Sequence, residues 1–142
     1  MADAHTLLVE DNPGDVELVR LALKHGKALD RIFVVEDGEQ ALQYLRRAGK
    51  FKDAWRPDLI LLDLNLPKMD GRELLEEIKS DPELQHIPIV VFTTSDAQPD
   101  VWHAYRHHAN CYVTKPAEAH EFIKKIRGIE TFWLSLVQFP GA

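Results

Sequence analysis

Residues 59–71 read LILLDLNLPKMDG, and the fold prediction starts from this stretch. Its first four residues are all apolar, the pattern of a central strand that is covered by helices on both faces. Asp63 ends the run, and Gly71 opens a stretch whose apolar residues recur with helical spacing. A buried strand that leads through a polar turn into an amphipathic helix is the repeating unit of an open parallel sheet.

The same unit recurs along the whole chain, because four other short apolar runs are each followed by a stretch of helical spacing. The five predicted strands are residues 6–9, 32–35, 59–62, 87–92 and 111–113, and the predicted helices cover residues 13–25, 38–45, 71–79, 101–108 and a last one from about 117 or 118. This alternation predicts an α/β fold of five βα units, a doubly wound, flavodoxin-like parallel sheet with helices on both faces. We expect one domain over residues 1–142, with an extended apolar segment at about 128–140.

Composition narrows the class of protein. Of the 142 residues, 45% are hydrophobic and 28% charged, which is typical of a globular domain. The net charge of −6 argues against nucleic acid as a partner, because a phosphate backbone favours a basic face. With a single cysteine, no signal peptide and no apolar run long enough to span a bilayer, the sequence predicts a cytoplasmic protein without a membrane partner.

Polar side chains follow the predicted strands where an α/β sheet places its functional groups, at the carboxyl ends. Glu10 and Asp11 follow the first strand, Asp63 the third, Thr93 the fourth and Lys115 the fifth. Clustered carboxylates repel one another unless a cation intervenes, and hard oxygen ligands suit Mg²⁺. A lysine and a hydroxyl could then bind phosphate oxygens. The set therefore indicates phosphoryl transfer, with Asp63 as the nucleophile.

These residues lie in four motifs that occur in order: LLVED, LILLDLNLPKMDG, PIVVFTTS and YVTKP. The ordered set resembles the receiver domain of response regulators, and the resemblance covers nearly the whole chain. It also implies a cis bond before Pro116. It implies the following roles: Asp63 as phosphoacceptor and metal ligand, Asp11 as direct Mg²⁺ ligand, Glu10 as a ligand through water, Asn65 as a ligand through its backbone carbonyl, Lys115 as the cation on the phosphoryl group, and Thr93 and Tyr112 as switch residues.

Finer motifs resemble one subgroup, the small regulators encoded beside bacterial and cyanobacterial phytochromes. They are EDNPGDVEL, DLNLPKMDGRE, HANCYVTKP and IETFWLSLV. The resemblance implies that the phosphodonor is a sensor histidine kinase of the phytochrome type, and that the protein forms homodimers. No predicted segment supplies a DNA-binding output, so we expect the signal to be read by protein contact or passed along a relay.

Two segments allow alternative interpretations. The C-terminal apolar residues recur at spacings of four, three, four and three, which favours a dimer or partner surface, although Gly128 could break the helix and let the tail fold back. His103 and His107, with His108 beside them, could bind a metal. No carboxylate or cysteine completes such a site at good spacing, so a solvated or partner-facing helix is favoured. The residues of the C-terminal stripe are Phe122, Ile126, Ile129, Trp133 and Leu136.

Three other functions are weighed against the signalling hypothesis, in which the protein is not an enzyme beyond slow loss of its own phosphate. A phosphatase with an aspartyl nucleophile, of the haloacid dehalogenase kind, needs a second acid where this chain has Asn65. A flavodoxin-like electron carrier needs a glycine- and hydroxyl-rich loop where this chain has Glu10 and Asp11. A receiver that is never phosphorylated would not require the complete set of acids with Thr93 and Lys115.

Overall fold

The computed structural model describes residues 4–26 and 28–140. Five parallel strands form one sheet in the order β2-β1-β3-β4-β5, and the α/β prediction is confirmed. No helix in the described part of the chain is long and apolar enough to cross a membrane. The strands are β1 (Thr6–Val9), β2 (Ile32–Val35), β3 (Leu59–Leu62), β4 (Ile89–Thr93) and β5 (Cys111–Thr114), and the helices are α1 (Pro13–Leu23), α2 (Gly38–Leu45), α3 (Gly71–Ser80), α4 (Gln98–Arg106) and α5 (Ala119–Ile129).

The sheet separates two hydrophobic layers, because successive side chains of a strand point to opposite faces. On β3, Ile60 and Leu62 pack in the layer that contains α2, α3 and α4. Leu59 and Leu61 pack in the opposite layer, with α1 and α5. Strand β3 lies in the middle of the sheet and all four of its residues are buried. The uninterrupted apolar run that predicted a central strand thus has a partner on each face.

Side-chain caps fix the residues at which helices α1 and α3 begin. The Asn12 side chain accepts hydrogen bonds from the backbone of Gly14 and Asp15, and Pro13 occupies the first position of α1. Asp70 caps α3 in the same way, by accepting from the backbone N–H of Arg72. Because the strands are parallel, the polar residues that follow them lie on one edge of the sheet.

Two predicted elements differ from the observed ones at their ends. Strand β4 begins at Ile89 rather than at residue 87 and continues through Thr93. Ile87 instead donates to the carbonyl of Leu84 in a turn, and Pro88 has no N–H to give to a neighbouring strand. Helix α4 spans Gln98–Arg106 instead of residues 101–108, because its start has Pro99 in the first turn and His108 has a positive φ of 69° that ends the helix.

The C-terminal apolar segment combines parts of both alternatives. Gly128 does not break α5, which continues into a π-helical segment at Glu130–Leu136. Trp133, Leu134 and Phe139 pack against the α1–α5 layer of the same chain. Phe132 and Leu136 remain 49% and 70% exposed. The segment therefore folds onto its own domain as a helix and still presents large apolar side chains to solvent.

Replacement of Gly71 by alanine should destabilise the fold. A Cβ at this position would lie 2.6 Å from the Cα of Leu64 and would also collide with the carbonyl oxygen of Asp63. Backbone atoms cannot move aside as easily as the end of a flexible side chain. We therefore expect the free energy of unfolding to fall by about 1–3 kcal/mol. Urea denaturation at fixed protein concentration measures this loss.

Gly128→Ala is the matched control, because a Cβ on Gly128 meets no atom within 4 Å and the residue lies inside α5. Alanine should leave stability unchanged or raise it by about 0.5–1 kcal/mol through helix propensity. Equal losses in the two variants would contradict the close approach at Gly71.

Candidate functional site

The register of the sheet brings the predicted site residues to its carboxyl edge. Val9 of β1 pairs with Leu62 of β3, so the next residues, Glu10 and Asp63, lie side by side. On the other side, Thr93 ends β4 opposite Thr114 of β5, and Lys115 follows. Residues far apart in sequence therefore meet because parallel strands end together.

Three carboxylates form the centre of this edge. Glu10, Asp11 and Asp63 each offer an oxygen, and these oxygens lie within 4.8 Å of one another. Glu10 and Asp63 are buried, whereas Asp11 is exposed. The backbone N–H of Asn65 donates to the Asp63 carboxylate at 3.3 Å, which holds the Asn65 backbone against the cluster. An all-oxygen donor set that is open on one side fits a divalent cation of the Mg²⁺ kind.

Lys115 supplies the positive charge inside the cluster. Its side chain is only 3% exposed, and its Nζ donates to Glu10 at 2.5 Å and to Asp63 at 3.2 Å. A third hydrogen bond, 2.8 Å long, goes to Asp15 in the first turn of α1. One ammonium group against four carboxylates, with Asp11 included, leaves excess negative charge at the edge. That imbalance favours an additional cation.

The protonation of the cluster follows from burial. Burial is the largest influence on Glu10 and raises its pKa to about 7, although Lys115 acts in the opposite direction. For Lys115, burial alone would lower the pKa, but hydrogen bonds to Asp15 and Glu10 outweigh it, and the pKa is raised. Lys115 therefore stays charged at neutral pH, while Glu10 takes up a proton more readily than an exposed glutamate would.

Thr93 lies beside the cluster with an unused hydrogen-bonding group. The residue is fully buried, and its Oγ1 has no hydrogen-bond partner within the described part of the chain. A buried hydroxyl without a hydrogen-bond partner lowers the stability of the fold by roughly 1–3 kcal/mol, which suggests that the group serves a function. A ligand with oxygen acceptors at this edge would satisfy it.

Tyr112 belongs to a hydrogen-bond network that the sequence did not predict. Its hydroxyl donates to the carbonyl of Ser95 at 2.7 Å, and the Ser95 hydroxyl donates to Asp100 at 2.5 Å. Arg72 of α3 donates to the same carboxylate at 2.7 Å. The Arg72 guanidinium, followed by the Ser95 hydroxyl, lowers the pKa of Asp100 to about 2. The network joins Tyr112 to the loop after β4 and to the first turns of α3 and α4.

Two expectations about this region are wrong. The Lys115–Pro116 peptide bond is not cis, because no cis bond occurs in residues 4–26 and 28–140. The trans form is also the intrinsic preference of an X–Pro bond. A carboxylate does approach the histidines, since Glu76 lies 3.4 Å from His103 and 3.6 Å from His107. Spacing along α4 could not reveal it, because Glu76 comes from α3.

Sequence reasoning also missed Asp15, although a signal was present. Helix α1 begins two residues after the acidic pair, so a carboxylate in its first turn must lie at the same edge of the sheet. An acid in the first turn is common at any helix N-terminus, so its position alone does not indicate a role in the site. Its direct hydrogen bond to Lys115 depends on the packing of β5 against β4, which spacing does not specify.

Comparison with known proteins identifies close relatives over nearly the full chain. Residues 6–127 match the family model of the response regulator receiver domain. Response regulator Rcp1 of Synechocystis sp. is 46% identical over 136 residues, which are 96% of this chain and 92% of that protein.

Solved structures agree with the sequence comparison. The phosphorylated cyanobacterial phytochrome response regulator RcpA superimposes with a TM-score of 0.95 at 48% identity, over 99% of this chain and 100% of RcpA. The Mn²⁺-bound form of Rcp1 superimposes with a TM-score of 0.93 at 44% identity, over 97% of this chain and 99% of Rcp1.

Replacement of Lys115 by methionine should destabilise the protein at neutral pH. In the variant the buried carboxylates would lose the ammonium group of Lys115, and Mg²⁺-free buffer with EDTA prevents a metal ion from replacing it. We expect the free energy of unfolding to fall by about 3–5 kcal/mol at pH 7.5. Burial already raises the pKa of Glu10 in the folded state to about 7, and loss of the opposing influence of Lys115 would raise it further. The folded state then binds protons more tightly, so stability should recover as pH falls through the raised pKa.

Urea unfolding at pH 7.5 and pH 5.5 measures both effects, and the variant should lie closer to wild type at pH 5.5. Lys124→Met is the control, because Lys124 is an exposed lysine of α5. A variant of Lys115 that is as stable as this control at pH 7.5 would contradict the account of the cluster.

Proposed function

Since the chain belongs to the family of response regulator receiver domains, we propose that Asp63 accepts a phosphoryl group and that the protein is a phosphorylation-dependent signalling protein. The observation that carries the proposal is the buried cluster of Asp63, Glu10 and Lys115 beside the unpartnered hydroxyl of Thr93. An ion pair with a purely structural role would need only as many acids as it has cations. This cluster has more acids than cations, and one of them, Asp11, is exposed to solvent.

The proposed reaction is transfer from a phosphohistidine. An oxygen of the Asp63 carboxylate attacks phosphorus, the P–N bond to the donor imidazole breaks, and the nitrogen keeps the electron pair and takes up a proton. A carboxylate attacks as the anion, so the mechanism requires no general base to take a proton from the nucleophile. The protein's own contribution is to position this oxygen and to compensate the charge of the transferred group.

A divalent cation completes the site. Glu10, Asp11, Asp63 and the backbone carbonyl of Asn65 would hold Mg²⁺, which supplies positive charge to the phosphoryl oxygens. The Mn²⁺-bound structure of Rcp1 supports this assignment. Lys115 would exchange its hydrogen bond to Asp63 for one to a phosphoryl oxygen, and Thr93 would donate to another.

Thr93 and Tyr112 would convert phosphorylation into a change of surface. Movement of Thr93 toward the phosphoryl group would pull on the loop that follows β4. The Ser95 carbonyl in that loop holds the Tyr112 hydroxyl, and Asp100 holds the start of α4. A shift of the loop would therefore alter the position of the Tyr112 ring and the face around α4 and β5, which a protein partner can read.

The phosphodonor is proposed to be a sensor histidine kinase of the phytochrome type. RcpA is described as a cyanobacterial phytochrome response regulator and shares 48% of its residues with this chain at a TM-score of 0.95. The chain would then act as a single cytoplasmic receiver domain that signals by protein contact. Its only chemistry would be its own phosphorylation and slow dephosphorylation.

The exposed apolar face of the C-terminal segment is proposed to be a homodimer interface. Phe132 and Leu136 are large, apolar and about half or more exposed. Phe132 and Trp133 also line an apolar depression of about 680 Å³ together with Val113 of β5. Contiguous apolar surface of this kind is rare on a monomer and common at subunit interfaces.

Phosphorylation of Asp63 is tested with acetyl phosphate and Mg²⁺, followed by intact-mass measurement. Wild type should gain one phosphoryl group, and Asp63→Asn should gain none. Asp11→Asn should slow the reaction by about a hundredfold, because it removes a carboxylate ligand of the Mg²⁺ ion that compensates the charge of the phosphoryl oxygens. Replacement of Mg²⁺ by EDTA should have a similar effect.

Asp53→Asn serves as the control, since Asp53 is exposed and precedes β3 at the opposite edge of the sheet. It should be phosphorylated like wild type. An unmodified wild type, or an equal gain of mass in the Asp63 variant, would refute the proposal.

The dimer proposal is tested by sedimentation equilibrium of Leu136→Asp. A charge in the centre of an apolar interface should weaken self-association by at least about tenfold in Kd. Trp55→Ser is the control, because Trp55 is also 68% exposed but lies before β3, away from the C-terminal segment. A monomeric wild type, or a Leu136 variant that associates like wild type, would exclude this interface.

A further inference from the structure

A second group of metal-ligating side chains lies between α3 and α4, away from the acidic edge. His103 and His107 stand four residues apart, so their rings project from the same face of the helix, and their centroids are 4.3 Å apart. Glu76 faces them from α3. One ligand atom from each residue lies within 4.8 Å of the other two.

The distances suit metal ligands better than hydrogen bonds. The Glu76 oxygens lie 3.4 Å from Nε2 of His103 and 3.6 Å from Nε2 of His107. Both separations exceed the usual range for an N–H···O hydrogen bond, about 2.7–3.2 Å. Two ligands at about 2.0–2.1 Å from a tetrahedral ion are about 3.3 Å apart. Each histidine thus already lies at about the spacing of an adjacent ligand from one oxygen of Glu76.

The chemistry of the donors selects the type of ion. Two imidazoles and one carboxylate match the ligand set of many Zn²⁺ sites, with a fourth position left for water. Hard cations such as Mg²⁺ prefer oxygen ligands, which the acidic edge supplies instead. The side chains of His103, His107 and Glu76 are 30%, 38% and 47% exposed, so an ion can reach them from solvent.

We propose that Glu76, His103 and His107 form a second metal site, which binds a divalent transition metal ion such as Zn²⁺ and cross-links α3 to α4. One helical turn earlier, Arg72 of α3 and Asp100 of α4 make an ion pair at 2.7 Å across the same seam. The metal site would extend that contact, so an ion there would hold α4 in place against α3. The start of α4 carries Asp100, which binds the loop after β4.

The test measures Zn²⁺ binding by isothermal titration calorimetry on protein without a polyhistidine tag. Saturating Mg²⁺ is present throughout to occupy the acidic edge, and Asp11→Asn in the same titration shows how much Zn²⁺ that edge still takes. Wild type should bind one Zn²⁺ at the new site. Because loss of residues that merely support ligands costs 10–100-fold in affinity, His103→Ala and His107→Ala should each weaken binding by at least about tenfold.

His108→Ala is the matched control, as His108 is an exposed histidine at the end of the same helix. It should bind Zn²⁺ like wild type, and so should Asp11→Asn. Glu76→Gln should weaken binding while circular dichroism shows an intact fold. Unchanged binding in the His103 and His107 variants, or an equal loss in the His108 variant, would overturn the proposal. The readout is independent of phosphorylation.

Discussion

The ammonium group of Lys115 is the contact on which the carboxyl edge of the sheet depends. It is buried and donates to carboxylates from β1, from the end of β3 and from α1, so one side chain ties β5 to three other segments. Without it, the buried acids would repel one another in a region of low dielectric constant. One ammonium group does not balance several carboxylates, so the site still carries excess negative charge. Lys115 therefore stabilises the edge, and the negative charge that it leaves uncompensated favours the binding of a further cation.

The sheet explains why the site and the core are so closely connected. Every residue of β1, β3 and β4 is buried, and the polar groups appear at the first position after each strand or at its last residue. Gly71 packs on the backbone of Asp63 and Leu64, which lets α3 begin directly beside the site. Asp63 is thus positioned by main-chain contacts on both sides. The backbone position of Asp63 is therefore fixed by other backbone atoms rather than by flexible side chains.

Much of this arrangement was predictable because the strands, and the polar residues that follow them, can be recognised from local sequence patterns. Apolar runs identified the strands, and the residue after each run identified Glu10, Asp63 and Lys115. The contacts that were missed all join segments whose packing no local pattern specifies. Asp15 reaches Lys115 from a helix, and Glu76 reaches the histidines from a neighbouring helix. The ends of β4 and α4 were displaced by Pro88, Pro99 and the positive φ of His108, where backbone chemistry overrides hydrophobic periodicity.

Strand β5 lies at the edge of the sheet and pairs with β4 alone among the described strands. Its residues alternate between the two layers: Tyr112 packs toward α2, α3 and α4, while Cys111 and Val113 pack toward α1 and α5. Those two residues also line the depression beside Trp133. An edge strand is hydrogen-bonded to the sheet on one side only, so its position depends on one neighbouring strand and on side-chain contacts. Strand β5 therefore has one side chain in the layer of α2, α3 and α4 and two beside the depression on the opposite face, so a shift of this strand would change both surfaces together.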